Sequence, residues 1–179
     1  MNRKIFSTWI ACAALLMASG AHADRSAGEA MDDTTVATNV KLQLIDDEVA
    51  PAGDINVEAY KGVVQLIGFV QSQEEKDAAI ARAKQVEGTK AVYDALIVMP
   101  GHRSFGRTVD DQTIYGKVWL ELAQVEGMSE AVAVVVKVRN GEVLLGGFVD
   151  NKDTVRAVGT AAKGVEGVTK VHNAVAAKP

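Results

Sequence analysis

The chain has 179 residues, with 19 basic and 23 acidic side chains and a formal net charge of −4. Such an acidic balance argues against general nucleic-acid binding, because neutralising phosphates requires a basic surface. The single cysteine, Cys12, provides no pair for an intramolecular disulfide and no cysteine cluster for a metal.

The N-terminus has the three parts of a secretory signal peptide. The basic pair Arg3-Lys4 is followed by an apolar run over residues 5–18 and by the small residues of Ala21-His22-Ala23. The apolar run is too short to cross a bilayer, which requires about 20 apolar residues. We therefore predict that residues 1–23 are a cleavable signal peptide, that the protein is periplasmic, and that cleavage takes the net charge from −4 to −6.

Lipidation at Cys12 is the alternative for the N-terminus. Trp9 stands three residues before Cys12, where a lipoprotein signal has a small aliphatic residue, and lipidation would leave the apolar stretch over residues 13–18 downstream of the cysteine. We therefore favour cleavage before Asp24, which removes the thiol from the mature chain.

The rest of the chain contains an internal repeat. Residues 62–70 (GVVQLIGFV) recur as 141–149 (GEVLLGGFV), with six of nine positions identical at a shift of 79. The same shift places Val86-Glu87-Gly88 on Val165-Glu166-Gly167, and the upstream apolar stripe repeats at a shift of 78. A common register over such a span indicates a duplicated module.

Each copy predicts the order helix, strand, strand, helix, strand. Apolar residues at helical spacing predict the first helix, with Asp33 or Thr34 as its N-cap. Lys61-Gly62 and Asn140-Gly141 predict tight hairpin turns, and Ser72 predicts a capped start of the second helix. The elements predicted for the first copy are, in chain order, a helix over 33–45, strands over 55–60 and 63–70, a helix over 73–86 and a strand over 90–98.

The two sides of the second strand differ in how well they repeat. The side that carries Val64, Leu66 and Val70 is identical in both copies, and we expect it to meet the helices. The opposite side changes between the copies, from Gln65 and Ile67 to their replacements in the second copy, and we expect it to be more open. Phenylalanines retained on this side in both copies, Phe69 and Phe148, indicate a structural role.

These observations divide the chain into five segments. They are a signal peptide (1–23), a flexible N-terminal segment (24–32), a first domain (33–98), a linker (99–110) and a second domain (111–179).

The repeated pattern resembles the BON-domain family. The residues that carry the resemblance in the first copy are Gly62, Val64, Leu66, Gly68, Val70, an alanine-rich helix, Val86, Gly88 and Val92, and the second copy repeats them. The first copy departs from the family pattern at Thr89 and Asp94. The resemblance implies an α+β fold of two tandem αββαβ domains, each with two helices packed on one face of a three-stranded mixed sheet. It also implies a non-enzymatic role in the cell envelope, linked to phospholipid association and osmotic stress.

Catalytic chemistry finds little support in the sequence. After cleavage only His102 and His172 remain as histidines, and no serine or carboxylate pair stands in a recognisable catalytic setting. We expect no catalytic residue, no cofactor and no metal, and an enzyme ranks third among the functions considered.

The aromatic residues of the second copy are the candidate contact site. Tyr115 and Trp119 lie four residues apart on one helical face, where the first copy has Ala37 and Lys41. Packing against the other domain or the linker is one interpretation. The other is membrane contact, because Trp and Tyr favour the lipid–water boundary. Nearby cations would add attraction to anionic headgroups at about 1 kcal/mol each; they are Lys117, Arg103 and Arg107.

The leading functional hypothesis is a periplasmic envelope-stress or osmotic-stress protein that associates with phospholipid or outer-membrane components. Its partners would be anionic phospholipid or envelope proteins, with no nucleic acid. The alternative is a soluble periplasmic chaperone-like stress protein without a specific lipid site. The sequence leaves the oligomeric state open.

Overall fold

A computed structural model describes residues 27–45, 54–101, 105–126, 128 and 134–178 of the protein. The predicted signal peptide, Cys12 and Arg103 lie outside these residues. The elements are, in chain order, α1 (Ala27–Ile45), β1 (Ile55–Tyr60), β2 (Val63–Val70), α2 (Gln73–Gln85), β3 (Ala91–Val98), α3 (Phe105–Leu122), β4 (Val134–Arg139), β5 (Glu142–Val149), α4 (Lys152–Lys163), β6 (Lys170–Asn173) and β7 (Ala176–Ala177).

The elements form two similar domains, domain 1 (α1 to β3) and domain 2 (α3 to β7). In domain 1, β2 pairs antiparallel with β1 and parallel with β3. Domain 2 repeats this arrangement, with β5 between β4 and β6 and the short β7 pairing with β5. The predicted α+β class and the αββαβ order of each copy are confirmed.

Each domain has a core between its sheet and its two helices. In domain 1 the stripe Val36, Val40 and Leu44 of α1 packs on the identical side of β2, as the repeat predicts. Small residues of α2, Ala79 and Ala83, bring that helix close to the sheet. The core of domain 2 is built from the residues that the duplication places at the matching positions, among them Ile114, Val118, Leu122, Val143, Leu145, Val149, Val158 and Ala162.

The predicted start of the first helix is wrong. The helix begins at Ala27 rather than Asp33, and it therefore covers most of the segment predicted to be flexible. Asp33 does not cap it. Its buried carboxylate instead accepts hydrogen bonds from the backbone N–H groups of Lys61 (2.7 Å) and Gly62 (2.8 Å), at the turn between β1 and β2.

Domain 2 repeats this contact between helix and hairpin. Asp111 accepts hydrogen bonds from the N–H groups of Asn140 (3.0 Å) and Gly141 (2.9 Å). Both turn residues have positive φ in each domain, as the predicted tight hairpin requires. The carboxylate thus ties the first helix of each domain to its hairpin. The helix that carries Asp111 begins at Phe105, inside the stretch 99–110 predicted as linker.

The side of the sheet predicted to be more open is buried. Ile67, Phe69 and Leu144 form a third apolar cluster with Ala95, and its members come from both domains. The two sheets therefore pack on each other through the faces that point away from the helices, which leaves the helices on the outside. The prediction failed because comparison of the two copies shows only that the residues on this side vary. Whether the side is exposed or buried depends on how the other domain packs against it.

Two positions on this face explain why the copies differ there. Gln65 spans the interface: its amide nitrogen donates to the carbonyl oxygen of Ala174 and its amide oxygen accepts from the N–H of Gly147, both at 2.6 Å. Ile67 occupies the space at Gly146, where an added Cβ would lie 2.6 Å from its side chain. Residues 67 and 146 are equivalent positions of the repeat, so the side chain of one copy fills the space left by the other.

Candidate functional site

The predicted aromatic pair lies on the outer layer of domain 2. Tyr115 and Trp119 stand beside the buried stripe of α3, with ring centroids 6.3 Å apart in an edge-to-face arrangement. Their side chains are 40% and 37% exposed. Neither ring is part of the domain core.

The two rings line a cleft between the domains. The cleft, of about 600 Å³, is bounded by α3, by the whole of the edge strand β4 and by Asp54, Asn56 and Phe69 of domain 1. We refer to it as the interdomain cleft. Each ring is partly exposed and lines a cleft that domain 1 also bounds, and the choice between lipid contact and domain packing stays a prediction.

The exposed face of α3 that includes the pair is uncharged. Residues three or four apart on a helix share a face, and Leu120, next to Trp119, is 69% exposed. All the residues of this face are exposed and neutral: Gln112, Tyr115, Gly116, Trp119 and Leu120. We call it the neutral face of α3.

The predicted cations do not join the aromatic pair. Lys117 points to another side of α3 and forms an ion pair with Glu166 at 2.9 Å. The hydrogen bond from Lys117, together with its charge, lowers the pKa of the Glu166 carboxyl. Arg107 lies beside this ion pair, in a separate depression near the hairpin turn. Arg103 falls outside the described residues.

The structure places Lys137 of β4 in the lining of the interdomain cleft and Lys41 of α1 in a separate depression. Lys41 of α1 donates to the carbonyl oxygen of Ile55 at 2.5 Å. Burial lowers the pKa of Lys41, and the charge of Lys137 on β4 lowers it further, while Asp54 acts in the opposite direction. The charge of Lys137, in domain 2, thus acts on Lys41 in domain 1. Sequence reasoning noted Lys41 only as the counterpart of Trp119, and it missed Lys137 because their proximity depends on domain packing.

Side chains that could bind a metal are dispersed over the part of the chain that the structure describes. Within that part, no group of three or more His, Cys, Asp or Glu side chains converges as a metal site. His172 lies 2.6 Å from the carboxylate of Glu142, which Lys170 also approaches to 4.0 Å. A search of the same residues for a helix apolar and long enough to span a membrane found none.

Comparisons with known proteins agree with the repeat. The model of the BON domain matches residues 32–100 and 110–179. The chain is 35% identical over 167 residues to the outer membrane lipoprotein DolP of Haemophilus influenzae, covering 89% of this chain and 85% of the relative. It is 32% identical over 151 residues to the osmotically-inducible protein Y of Escherichia coli, covering 82% and 73%.

Among solved structures, the C-terminal domain of CdsD, a structural protein of the Type III secretion system of Chlamydia trachomatis, matches with a TM-score of 0.31. The identity is 20%, over 82% of this chain and 67% of that chain.

Proposed function

Because the chain belongs to the BON-domain family, with two copies of the domain, we propose that it acts in the cell envelope as a non-enzymatic protein that associates with phospholipid. Two relatives support this location and role by their names, one an outer membrane lipoprotein and the other an osmotically-inducible protein. The predicted signal peptide supports export.

The neutral face of α3 is the observation that carries the proposal. Trp and Tyr prefer the boundary between lipid headgroups and hydrocarbon, and a helix that lies in this boundary presents an apolar face to it. Trp119 and Leu120 are exposed side by side at the C-terminal end of the helix. In a chain with an excess of acidic residues, a helix face without a carboxylate can approach an anionic membrane at little electrostatic cost.

Co-sedimentation with lipid vesicles tests the proposal. The protein recovered from the periplasm, its N-terminus checked by mass spectrometry, is mixed with vesicles of phosphatidylglycerol and phosphatidylcholine, and with phosphatidylcholine alone. We expect binding to the anionic vesicles and a loss of about tenfold in affinity for Trp119→Ala, since partial burial of this side chain is worth about 1.4 kcal/mol.

Tyr93→Ala is the matched control. Tyr93 is an aromatic residue of domain 1 that is 55% exposed and lies on β3, away from the interdomain cleft. This variant should bind as the unmodified protein does. Equal binding by Trp119→Ala would contradict the proposal. Suppression of the aggregation of a client protein, without vesicle binding, would favour the chaperone-like alternative.

A further inference from the structure

Domain 2 carries a buried arginine in the lining of the interdomain cleft. Arg139, the last residue of β4, is only 4% exposed, and it is among the residues that bound the cleft. Val134, Val136 and Val138 of the same strand belong to the core of domain 2. Because side chains alternate along a strand, Arg139 lies on the side of β4 that faces domain 1, as Val135 does.

The guanidinium of Arg139 has few partners for a buried charge. One of its terminal nitrogens donates to the carbonyl oxygen of Gly101, in the segment after β3, and its Nε is buried without a hydrogen-bond partner. Over the residues that the structure describes, no carboxylate forms an ion pair with it. A buried charge without a counter-charge is costly, and a guanidinium has five N–H donors. The side chain therefore has both a reason and the donors to bind an anion.

The carboxylates around Arg139 are engaged elsewhere. Glu142, its partner in the β4–β5 register, lies 2.6 Å from His172. Asp111, which lines the cleft, accepts hydrogen bonds from the backbone of the hairpin turn with both of its oxygens. Asp54, the other carboxylate of the lining, is exposed. The charge of the guanidinium is thus left without a direct contact to any of these three acids.

The shared fold does not require a cation at this position. The shift of 79 places Arg139 on Tyr60 of domain 1, whose ring packs on Phe148 of domain 2 with centroids 5.9 Å apart. Domain 1 ties its first helix to its hairpin through Asp33 with this neutral ring beside the turn. The equivalent of Phe148 is Phe69, and it lines the cleft with Arg139. Where domain 1 fills the contact with a ring, domain 2 places a cation in the lining of an open cleft.

The cleft has the room and the donors for a phosphate group. Its volume is about 600 Å³, and a guanidinium binds phosphate through two parallel hydrogen bonds. Gln112 and Tyr115 of α3 add an amide and a hydroxyl to the lining, and Asn56 of β1 adds an amide from domain 1. Donors on three elements suit a group with three acceptor oxygens better than a carboxylate with two. Lys137 adds positive charge to the same lining.

We propose that the interdomain cleft binds a phosphate group, with the guanidinium of Arg139 as its principal donor. The group belongs to a soluble phosphate or to a phospholipid headgroup, and the chemistry that Arg139 recognises is the same in both. The inference goes beyond the proposed function, because a site for soluble phosphate needs no membrane.

Isothermal titration calorimetry with inorganic phosphate tests the inference. The protein recovered from the periplasm, titrated at an ionic strength held constant with sodium chloride, should show one site per chain. Arg139→Gln should bind phosphate about tenfold more weakly or worse, since it loses charge-assisted hydrogen bonds. Arg139→Lys should have an intermediate affinity, because an ammonium keeps the charge but lacks the planar fork.

Arg156→Gln is the matched control. Arg156 lies on α4 in the same domain, with its side chain 75% exposed, and it is not among the residues that line the cleft. This variant should bind phosphate as the unmodified protein does. Titration with monomeric dihexanoylphosphatidylglycerol distinguishes the two sources: tighter binding of this lipid assigns the site to a headgroup, and tighter binding of inorganic phosphate assigns it to soluble phosphate.

The outcomes separate this inference from the proposed function. If the unmodified protein binds neither phosphate probe, the inference is overturned whatever the variants do. Equal binding by Arg139→Gln, with its fold checked by circular dichroism, also overturns it, because the arginine then serves only to hold Gly101. Acetate bound as tightly as phosphate would overturn the ligand class. In each case, vesicle binding that Trp119→Ala weakens would leave the proposed function in place.

Discussion

Domain 1 and domain 2 have equivalent core residues, but they differ at positions that face the other domain or solvent. At equivalent positions of the first helix, domain 1 has Lys41, which reaches the backbone carbonyl of Ile55, and domain 2 has Trp119, which lines the interdomain cleft. A duplicated module keeps the residues that its own core requires. The remaining positions are free to adapt to the neighbouring domain or to a partner.

The contact between the third strand and the second helix shows a different kind of divergence. An ion pair makes this contact in domain 1, and a hydrogen bond makes it in domain 2. Asp94 in domain 1 forms an ion pair with Lys76 of α2 at 2.7 Å. Its counterpart Asn173 donates to the carbonyl of Val155 in α4 at 2.8 Å. Lys76 and Val155 are also equivalent positions. The departure of Asp94 from the family pattern therefore comes with a partner for its charge.

The largest loss of stability should come from a branched side chain at position 146, which would make the two sheet faces similar where they touch. Gly146→Val places a side chain where Ile67 already lies, with the added Cβ 2.6 Å from it. Overpacking of this kind costs about 1–3 kcal/mol, and we expect about 3 kcal/mol, measured by urea denaturation. Ile67→Ala in the same chain should restore part of the loss. A fully stable Gly146→Val variant would show that the sheets are not packed this closely.

Loss of the carboxylate that ties the first helix to the hairpin turn, which we call the hairpin clamp, should lower stability almost equally in the two domains. Asp33→Ala and Asp111→Ala each leave two backbone N–H groups without their acceptor. An unsatisfied buried donor costs about 1–3 kcal/mol, so each variant should lose about 2 kcal/mol in thermal or urea unfolding. A large loss for one variant and none for the other would contradict the equivalence of the two clamps.

Replacing Gln65 by the residue of the other copy should weaken the interface by a smaller amount. Gln65→Leu keeps the approximate volume, since domain 2 has Leu144 there, but it leaves Gly147 and Ala174 without their side-chain partner. We expect a loss of about 1–2 kcal/mol by differential scanning calorimetry. Leu144→Ala, which removes apolar contact from the same interface, provides the comparison. An unchanged unfolding temperature for Gln65→Leu would argue against the bridge.

The smallest change in stability should come from Glu58, at a position where domain 2 has a lysine, and it should depend on pH. Burial raises the pKa of Glu58 on β1 above its usual value of 4.5. The charged form therefore destabilises the folded state, and this penalty disappears as the pH falls through the folded-state pKa. Glu58→Gln should be slightly more stable than the unmodified protein at pH 7 and no more stable below pH 4.5, as urea titrations at several pH values can check. A variant that is less stable at pH 7 would contradict the sign.

The elements that depend on local sequence were predictable. The strands of the hairpin in domain 1 begin and end at the predicted residues, since the turn residues fix the register. Ser72 caps α2 as expected, with its oxygen 3.2 Å from the N–H of Glu75. The start of α1 was not predictable. Asp is a common N-cap residue, but Asp33 accepts a hydrogen bond from a turn 28 residues away instead.

The interface between the domains, and with it the cleft, was beyond what the sequence could predict. Gln65 is polar and varies between the copies, which is typical of an exposed position, yet it is buried with both ends of its amide bonded. The tandem repeat shows that two sheets exist and leaves open which of their faces meet. The aromatic pair was identified from one mismatch, Lys41 against Trp119, whereas the place of Lys137 in the lining of the cleft depends on the packing of the two domains.

Fluorescence of Trp119 on anionic vesicles tests the central claim most directly. The chain has two tryptophans, Trp9 and Trp119, and the predicted cleavage removes Trp9, so the protein recovered from the periplasm reports on Trp119 alone. We predict that phosphatidylglycerol vesicles shift its emission to shorter wavelength, as the indole enters the headgroup boundary, and that phosphatidylcholine vesicles do so much less. Sedimentation with the vesicles while the emission stays unchanged would place the contact elsewhere on the molecule and contradict the account.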